Sequence, residues 1–467
     1  MIEIEALVIG SGPSGCVTAL ELLKKNIPTI LVERGSKSKS NEYSVDEMEK
    51  KYKHGGINLA FGRNKIAFVE GQALGGGSEV NSGLYHRLPK EIYKEWREYA
   101  LSEFSDNEME KHFLDIEKKL NIQKAPEKFI TEASKKLKEG STKMGWECNE
   151  VPRWIIYNKE KYIKQSMSET YIKNIQDMNG KIFTNTEVKY FKKNNNFIVY
   201  CNNMKTKQKI LIKARYLFIC SGAIETPSLL RKSGYKKNIG NSLYVHPTAK
   251  IVARFDQKIN SKDAGVGVHQ VKEFSPQFSF GCSISTKEYL SINLINNMDV
   301  INKIESEWEK MYTYYSMIKP EGKGLIRNIL FSRHPFISYS LTKNDSKLIK
   351  KSLVQLAKLL FTANAKELYI VGSKNFTLKK KNFIEEINKI KISDLDLMTI
   401  HLFSSCPIGE NKKLCAANSF GKIYGESNLY INDSSMLPTA PSVNPQGTIM
   451  AIARRNILHF IKNEYKK

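Results

Sequence analysis

No apolar run in this chain of 467 residues is long enough to cross a bilayer, and the mean hydropathy is −0.41. A protein that spans the membrane on helices is therefore not expected. The start, MIEIEALVIG, carries Glu3 and Glu5 and runs straight into an apolar stretch. It lacks the basic lead and small-residue cleavage site of an export signal, so a cytoplasmic location is expected. Cysteine is sparse: seven residues, an odd number, with no CxxC spacing and no Cys/His cluster. That argues against a disulfide scaffold and offers no metal site; reduced thiols are the simplest reading. Fixed-period repeats and low-complexity linkers are also missing, which points to interwoven domains.

Acidic residues are in short supply, with 48 Asp and Glu against 73 Lys and Arg, a net charge of +25. A basic surface can attract nucleic acid, anionic lipid or an anionic substrate. The lysines, however, are spread along the whole chain. Short clusters such as Lys379-Lys380-Lys381 are not interleaved with aromatics as a nucleic-acid platform would be. The charge reads as overall composition, and no nucleic-acid partner is expected. What is present is a globular balance, 41% hydrophobic and 26% charged. At roughly 150 residues per domain, the length suggests about three domains or two large ones.

Residues 4–9 (IEALVI) predict a buried strand. GSGPSG follows at 10–15, then a helical spacing from Cys16 to Lys25, then a second strand at 29–33 ending in Glu33. This is a βαβ unit and starts a parallel sheet. Residues 55–83 read as loop, and 106–120 and 165–177 as helices. Strands are expected within 181–218. Residues 250–340 read as separate strands (VARF, FSFGCSIS, LSINLIN, FISYSL), which suits a mostly antiparallel sheet. A helix is expected at 346–363, a strand at 428–432, and a last helix from near Asn444.

The chemistry starts at Gly10, Gly12 and Gly15, between a strand and a helix. The first glycine permits the tight turn, the second lets backbone approach a pyrophosphate, and the third lets helix and strand pack closely. The helix start offers N–H groups to the phosphates. Glu33 is placed to accept from ribose hydroxyls and disfavours a 2′-phosphate, so NADP is not expected. The unit does not separate FAD from NAD. GGGS (75–78), followed by Val80-Asn81, would alone be a flexible loop or a second close backbone approach. LFICSGAIETPSLLRKSG (217–234) would alone be a strand-to-helix turn capped by Thr226.

In combination these segments resemble the glucose–methanol–choline (GMC) oxidoreductases. GSGPSG with Glu33-Arg34-Gly35 is similar to that family's FAD-binding start, and GGGSEVNSG (75–83) and CSGAIETPSLLRKSG (220–234) resemble its two signatures. IGNSLYVHP (239–247), HLFSSCPIG (401–409) and NLYINDSSMLPTAPSVNPQGTIMAIARR (428–455) resemble the segments that follow, in family order. The resemblance implies an α/β fold: an FAD-binding doubly wound parallel sheet (Rossmann-like) from residues 1–90, 178–248 and 395–467. An inserted, mainly antiparallel-sheet substrate domain would take 91–177 and 249–394.

It also implies roles. Gly10, Gly12, Pro13, Ser14, Gly15, Glu33 and Arg34 match the cradle of the ADP half. Gly76, Gly77, Ser78 and Asn81 match the loop beside the pyrophosphate and isoalloxazine, and Val188 the strand bordering the adenine. Ser221, Gly222, Asp433, Pro445 and Thr448 complete the cofactor-binding set. His401 matches the catalytic base, and Asn444 the second active-site position, also against the flavin. Taken alone, His401 would be a satisfied strand histidine. Beside Asn444-Pro445 it suits alcohol oxidation, in which an imidazole takes the hydroxyl proton while hydride passes to flavin N5. Val80 stands where covalent attachment would be sought, so FAD is expected to be non-covalent.

Ser404 stands where many relatives carry Gly, and Val245 replaces a common acidic residue. The motif forms lean toward long-chain alcohols or sugar-like hydroxyls. The expected partners are a small alcohol or carbohydrate-like substrate and O2 or another electron acceptor, with no metal. Two other readings are a basic flavoprotein that binds nucleic acid or anionic lipid, and an NAD(P)H-dependent flavin reductase. A second strand–GxGxxG–helix unit for a nicotinamide nucleotide is missing from the sequence.

Overall fold

Strand β1 (Ile2–Ile9) runs through the middle of a seven-stranded sheet. Its second half is apolar without alternation because both faces are covered; Ala6, Leu7 and Val8 have no exposed surface. Strand β2 (Thr29–Val32) lies parallel on one side and Lys209–Ile219 parallel on the other. Lys181–Phe183 extends the sheet beyond β2, and Leu429–Ile431 pairs with the far end of Lys209–Ile219, both in parallel. Five parallel strands thus come from five separate places in the chain. The near end of Lys209–Ile219 carries an antiparallel ribbon, Phe197–Asn203 and Thr186–Lys193. Helix α1 (Pro13–Lys24) starts with Pro at its first turn, where no N–H is missed, and packs beside the C-terminal helix Gln446–Asn463. The computed structural model describes residues 1–40, 42–159, 161–262 and 264–466.

A second sheet of ten strands is antiparallel except where Ile66–Phe68 pairs with Leu397–Thr399. Its centre is Thr248–Arg254 against Met311–Ile318, in register from Thr248↔Met317 to Arg254↔Met311. Helix Lys343–Thr362 covers this sheet with Leu353, Leu356 and Leu360. A capping box fixes its start: Asp345 N–H donates to Thr342 Oγ1 and Thr342 N–H to Asp345 Oδ2. The mixed α/β architecture, one doubly wound sheet and one mainly antiparallel sheet, is the expected one.

Several elements differ in detail. LSINLIN, read as a strand, falls in helix Lys287–Asn293 and the turn after it. The residues it buries are Leu290, Asn293 and Leu294, three and four apart, while Ile292 and Ile295 are exposed, so the period is helical. The helix expected at 165–177 is shortened to Tyr171–Asp177. Hydroxyls upstream bond locally instead: Ser166 Oγ to Ser168 Oγ at 3.0 Å, and Thr170 Oγ1 to the Ser166 carbonyl at 2.7 Å. Ile66–Phe68, within a stretch read as loop, is recruited as a strand. Helices Lys90–Tyr99 and Glu132–Lys143 were not anticipated.

The C-terminal ends of β1, β2, Lys209–Ile219 and Leu429–Ile431 open at one edge, and residues that follow them line the same cavity. That is where an open parallel sheet receives ligands. The antiparallel sheet forms the opposing wall through Thr248, Lys250, Tyr315, Met317 and Met398.

Candidate active site

A cavity of about 470 Å³ runs between the two sheets. It is lined by Gly10, Gly12, Pro13, Ser14, Glu33, Arg34, Gly76, Gly77, Asn81 and Val188, and by Ser221, Gly222, His401, Asp433, Asn444 and Pro445. Of the residues expected there, Gly15, Ser78 and Thr448 stand behind the wall. Ser78 Oγ donates to the Gly75 carbonyl at 2.8 Å and accepts from Met167 N–H at 3.0 Å. Thr448 is fully buried.

The three glycines of the first turn have distinct steric settings. At Gly10 φ is +103°, and a Cβ would lie 2.3 Å from the Cys220 carbonyl oxygen. At Gly15 a Cβ would lie 1.9 Å from the Gly10 carbonyl oxygen. At Gly12, at Gly77 and at Gly222 it would meet nothing within 4 Å, and all three line the cavity. Gly76 comes against Gly12 so closely that a Cβ on it would be 2.7 Å from the Gly12 Cα. Two backbone segments and the start of α1 thus form a recess without side chains, which fits the pyrophosphate of a dinucleotide. Glu33 lines the cavity, and both its oxygens also brace the turn. Oε2 accepts from Ser11 N–H (2.9 Å) and Oγ–H (2.7 Å), and Oε1 from Gly35 N–H (2.7 Å). Asp433 Oδ2 accepts from Gly222 N–H at 2.8 Å and Thr226 Oγ1 at 2.5 Å, and Oδ1 from Ser435 N–H at 2.8 Å.

His401 follows strand Leu397–Thr399 and is 8% exposed. Its backbone N–H donates to Thr399 Oγ1 at 3.1 Å, and that hydroxyl donates to the His401 carbonyl at 2.9 Å. Its ring lies in a chain of polar contacts. Gln270 Nε2 donates to Asn444 Oδ1 at 3.3 Å, which turns the Asn444 amide nitrogen toward His401 Nε2, 3.5 Å away. An amide N–H needs an acceptor, so Nε2 carries the lone pair and the imidazole proton sits on Nδ1. That proton points at His246 Nδ1, 3.1 Å distant, with the rings crossed at 86°. The hydrogen bond at one nitrogen thereby sets the chemistry of the other. Burial first, and then the Lys272 charge, holds His401 down to about 3, so the ring is neutral at physiological pH. Burial pushes His86 and His246 down as well.

Charge is divided along the cavity. At the α1 end, Lys53 Nζ pairs with Glu70 (2.8 Å) and Glu225 (2.6 Å), and Arg34 stands 3.8 Å from Glu187 and Glu225. Burial would raise Glu225, but Lys53 and Arg34 outweigh it and hold the carboxyl at about 2. On the opposing wall Lys250 and Tyr315 stand in register, and the Tyr315 hydroxyl accepts from Gln270 Nε2 at 2.8 Å. Sequence reasoning missed Gln270, Lys53, Lys250 and Lys272, since one Lys or Gln in a lysine-rich chain carries no signal. His246 was missed too: its ring is seated against His401, and the segment IGNSLYVHP (239–247) that carries it was the available clue.

Comparison with known proteins bears on these residues. A family model described as GMC oxidoreductase, covering that family's N-terminal part, matches residues 4–248, and one for its C-terminal part matches 333–453. An uncharacterized GMC-type oxidoreductase of Sinorhizobium fredii is 30% identical over 97% of this chain and 94% of its own length. A long-chain-alcohol oxidase of Arabidopsis thaliana is 24% identical over 97% of this chain and 68% of its own. The crystal structure of pyridoxine 4-oxidase from Mesorbium loti superposes with a TM-score of 0.77 at 13% identity, covering 99% of this chain and 100% of that one. This likeness is one of fold. On the two matching family models and the Sinorhizobium relative, the chain belongs to the GMC oxidoreductase family.

Proposed function

We propose that this protein oxidises a CH–OH group of a small alcohol or sugar-like substrate to a carbonyl, using non-covalently held FAD. The observation that carries this reading is one cavity lined both by a side-chain-free glycine recess and by a neutral imidazole whose Nε2 lies beside the Asn444 amide. The names of the Arabidopsis and Mesorbium relatives, both oxidases, agree with it. FAD, when bound, supplies the hydride acceptor; O2 or another acceptor then takes the electrons. The recess of Gly12, Gly76, Gly77 and Gly222 would hold its phosphates, with Glu33 toward the ribose and Val188 toward the adenine. Segments 1–90, 178–248 and 395–467 would form this half, and 91–177 with 249–394 the substrate half.

His401 Nε2 accepts the substrate hydroxyl proton. His401 Nδ1–H stays on His246, so Nε2 remains the acceptor nitrogen throughout. Asn444 Nδ2 orients the hydroxyl oxygen, and Gln270 is a positioning residue that keeps the Asn444 amide from flipping. A general base of this kind contributes roughly 10²–10⁴-fold. His401→Ala should give a yellow protein whose flavin bleaches anaerobically with substrate slower by about that factor. Equal bleaching in wild type and variant sinks the assignment.

A second reading concerns a surface and is favoured by a specific observation. Ile57, Leu330 and Phe331 are 82%, 79% and 100% exposed, on adjoining segments where Phe61 stacks on Phe336 at 5.6 Å. Residues 57–69 and 323–336 contain Arg63, Lys65, Lys323, Arg327 and Arg333 and no acidic residue. We infer that this edge rests on an anionic lipid surface; two copies meeting here would oppose like charges. Its neighbours Lys53 and Gly56 line the cavity. The protein should sediment with phosphatidylglycerol vesicles, more weakly at high salt, and Leu330→Asp with Phe331→Asp should abolish this while alcohol oxidation persists. Failure to bind, or a dimer broken by the same pair, overturns the inference.

A further inference from the structure

Lys250 stands out among the cations of the cavity. Lys53, Arg34 and Lys189 each have a glutamate within 4.0 Å, and Lys232 is exposed to solvent. Lys250 lies on the central strand Thr248–Arg254, facing the cavity in register with Tyr315. No carboxylate pairs with it among the described residues. Among the described residues its ammonium donates to one side-chain atom, Asn293 Oδ1, at 3.5 Å. The Asn293 amide nitrogen is already committed to Thr313 Oγ1 at 3.1 Å. Half-buried and with no opposing charge, the amine is pulled down to about 8, which still leaves it mostly protonated at neutral pH. A partly desolvated cation without a counter-charge favours a ligand that supplies the anion.

Sequence separation bounds the spacing. Lys250 is four residues past His246, whose ring touches His401, and strand Thr248–Arg254 begins between them. Four residues of extended chain reach at most about 13 to 14 Å. Met317 and Met398, paired with Thr248, put two apolar side chains on the wall along this stretch.

Resting on the alcohol-oxidation reading above, we propose that the substrate is an alcohol bearing a carboxylate many bonds from its hydroxyl carbon, and that Lys250 binds this carboxylate. An α-hydroxy acid cannot meet both His401 and Lys250, because its carboxylate is attached to the reacting carbon. One ammonium with no spare N–H donor beside it suits a monoanion better than a phosphate. Met317 and Met398 on the neighbouring wall suit an alkyl spacer.

The test uses the yellow holoprotein with ω-hydroxyoctanoate, α-hydroxyoctanoate and octanol, matched in carbon number. Anaerobic flavin bleaching should favour ω-hydroxyoctanoate over the other two by about tenfold or more in kcat/KM, the range of a charge-assisted hydrogen bond. Lys250→Met should erase that preference by raising KM for the ω-acid, with kcat and the octanol rate kept. Lys250→Gln serves as a second variant, and if neither holds flavin the wild-type ranking of the three substrates decides alone. Octanoate, which cannot react, should perturb the flavin spectrum of the wild type and about tenfold more weakly that of the Met variant. Equal use of octanol and the ω-acid, or a preference that survives in Lys250→Met, overturns the proposal and leaves the oxidation reading intact. If no alcohol bleaches the flavin, that reading falls, and octanoate titration of the two proteins still decides whether Lys250 binds a carboxylate.

Discussion

At the residue scale, two glycines three positions apart in one turn are predicted to fail in opposite ways. A Cβ on Gly15 runs into the Gly10 carbonyl, so Gly15→Ala should disrupt the packing of α1 on β1 and reduce folded yield. A Cβ on Gly12 meets only open cavity, so Gly12→Ala should fold with near-normal stability without cofactor. It should nevertheless lose FAD affinity by tenfold or more, about 1.4 kcal/mol, because the methyl occupies the recess. Flavin content and thermal unfolding of the two variants check this; a Gly12→Ala protein that retains full flavin disproves the cradle. Ser404 is instructive in the same way. The sequence marks it as a place where relatives prefer Gly, and its φ is +63°, a left-handed conformation that glycine adopts freely.

At the element scale, Asp433 is a knot between three pieces of chain. It follows strand Leu429–Ile431, receives Ser435 N–H from the next turn, and receives Gly222 N–H and Thr226 Oγ1–H at the start of helix Gly222–Lys232. Asp433→Ala leaves those donors buried without an acceptor. A loss of about 3 kcal/mol in denaturant stability is expected, since each unsatisfied buried group costs roughly 1–3 kcal/mol. A loss under about 1 kcal/mol would mean that water replaces the carboxylate. Elements were legible where one period dominated. The β1–α1–β2 unit, the helix over 106–120 and the C-terminal helix follow from apolar spacing and caps. LSINLIN was misread because its branched residues suit a strand, whereas burial of Leu290 and Leu294 in a small cluster selected the helix.

At the scale of the whole molecule, buried histidines tie stability to pH. Burial, then nearby cations, lowers His112 and His401 to about 3, and His86 and His246 lie well below 6.5. The unfolded chain therefore takes up these protons first as pH falls below 6.5. The stability they contribute is complete above that pH and is lost as pH falls toward the folded values. Each titrating histidine should remove about 1.4 kcal/mol per pH unit in that window. His112, held by Arg454 Nη1 at 3.1 Å, lines no part of the cavity, so His112→Gln should flatten the slope by one such share without touching oxidation. Denaturant midpoints between pH 7 and pH 5 would show it, and a pH-independent midpoint would contradict the burial argument. The charge of +25 also gains meaning only at this scale. Most of it is dispersed, as the composition implied, yet folding brings two acid-free segments, 57–69 and 323–336, to one apolar edge.

By itself the sequence determined the family, the parallel βαβ start and the glycines of the recess, and it singled out His401 and Asn444, which the fold brings together in one cavity. Those features are local: a turn that only glycine can make, a period that only one element satisfies, a motif whose order survives along the chain. Tertiary structure alone decided which nitrogen of His401 carries the proton, because Gln270, Asn444 and His246 come from three distant segments and act only when brought into contact. It alone left Lys250 without a counter-charge, because whether an ammonium is paired depends on what lies beside it in space, and nothing in a lysine-rich sequence distinguishes one from the next.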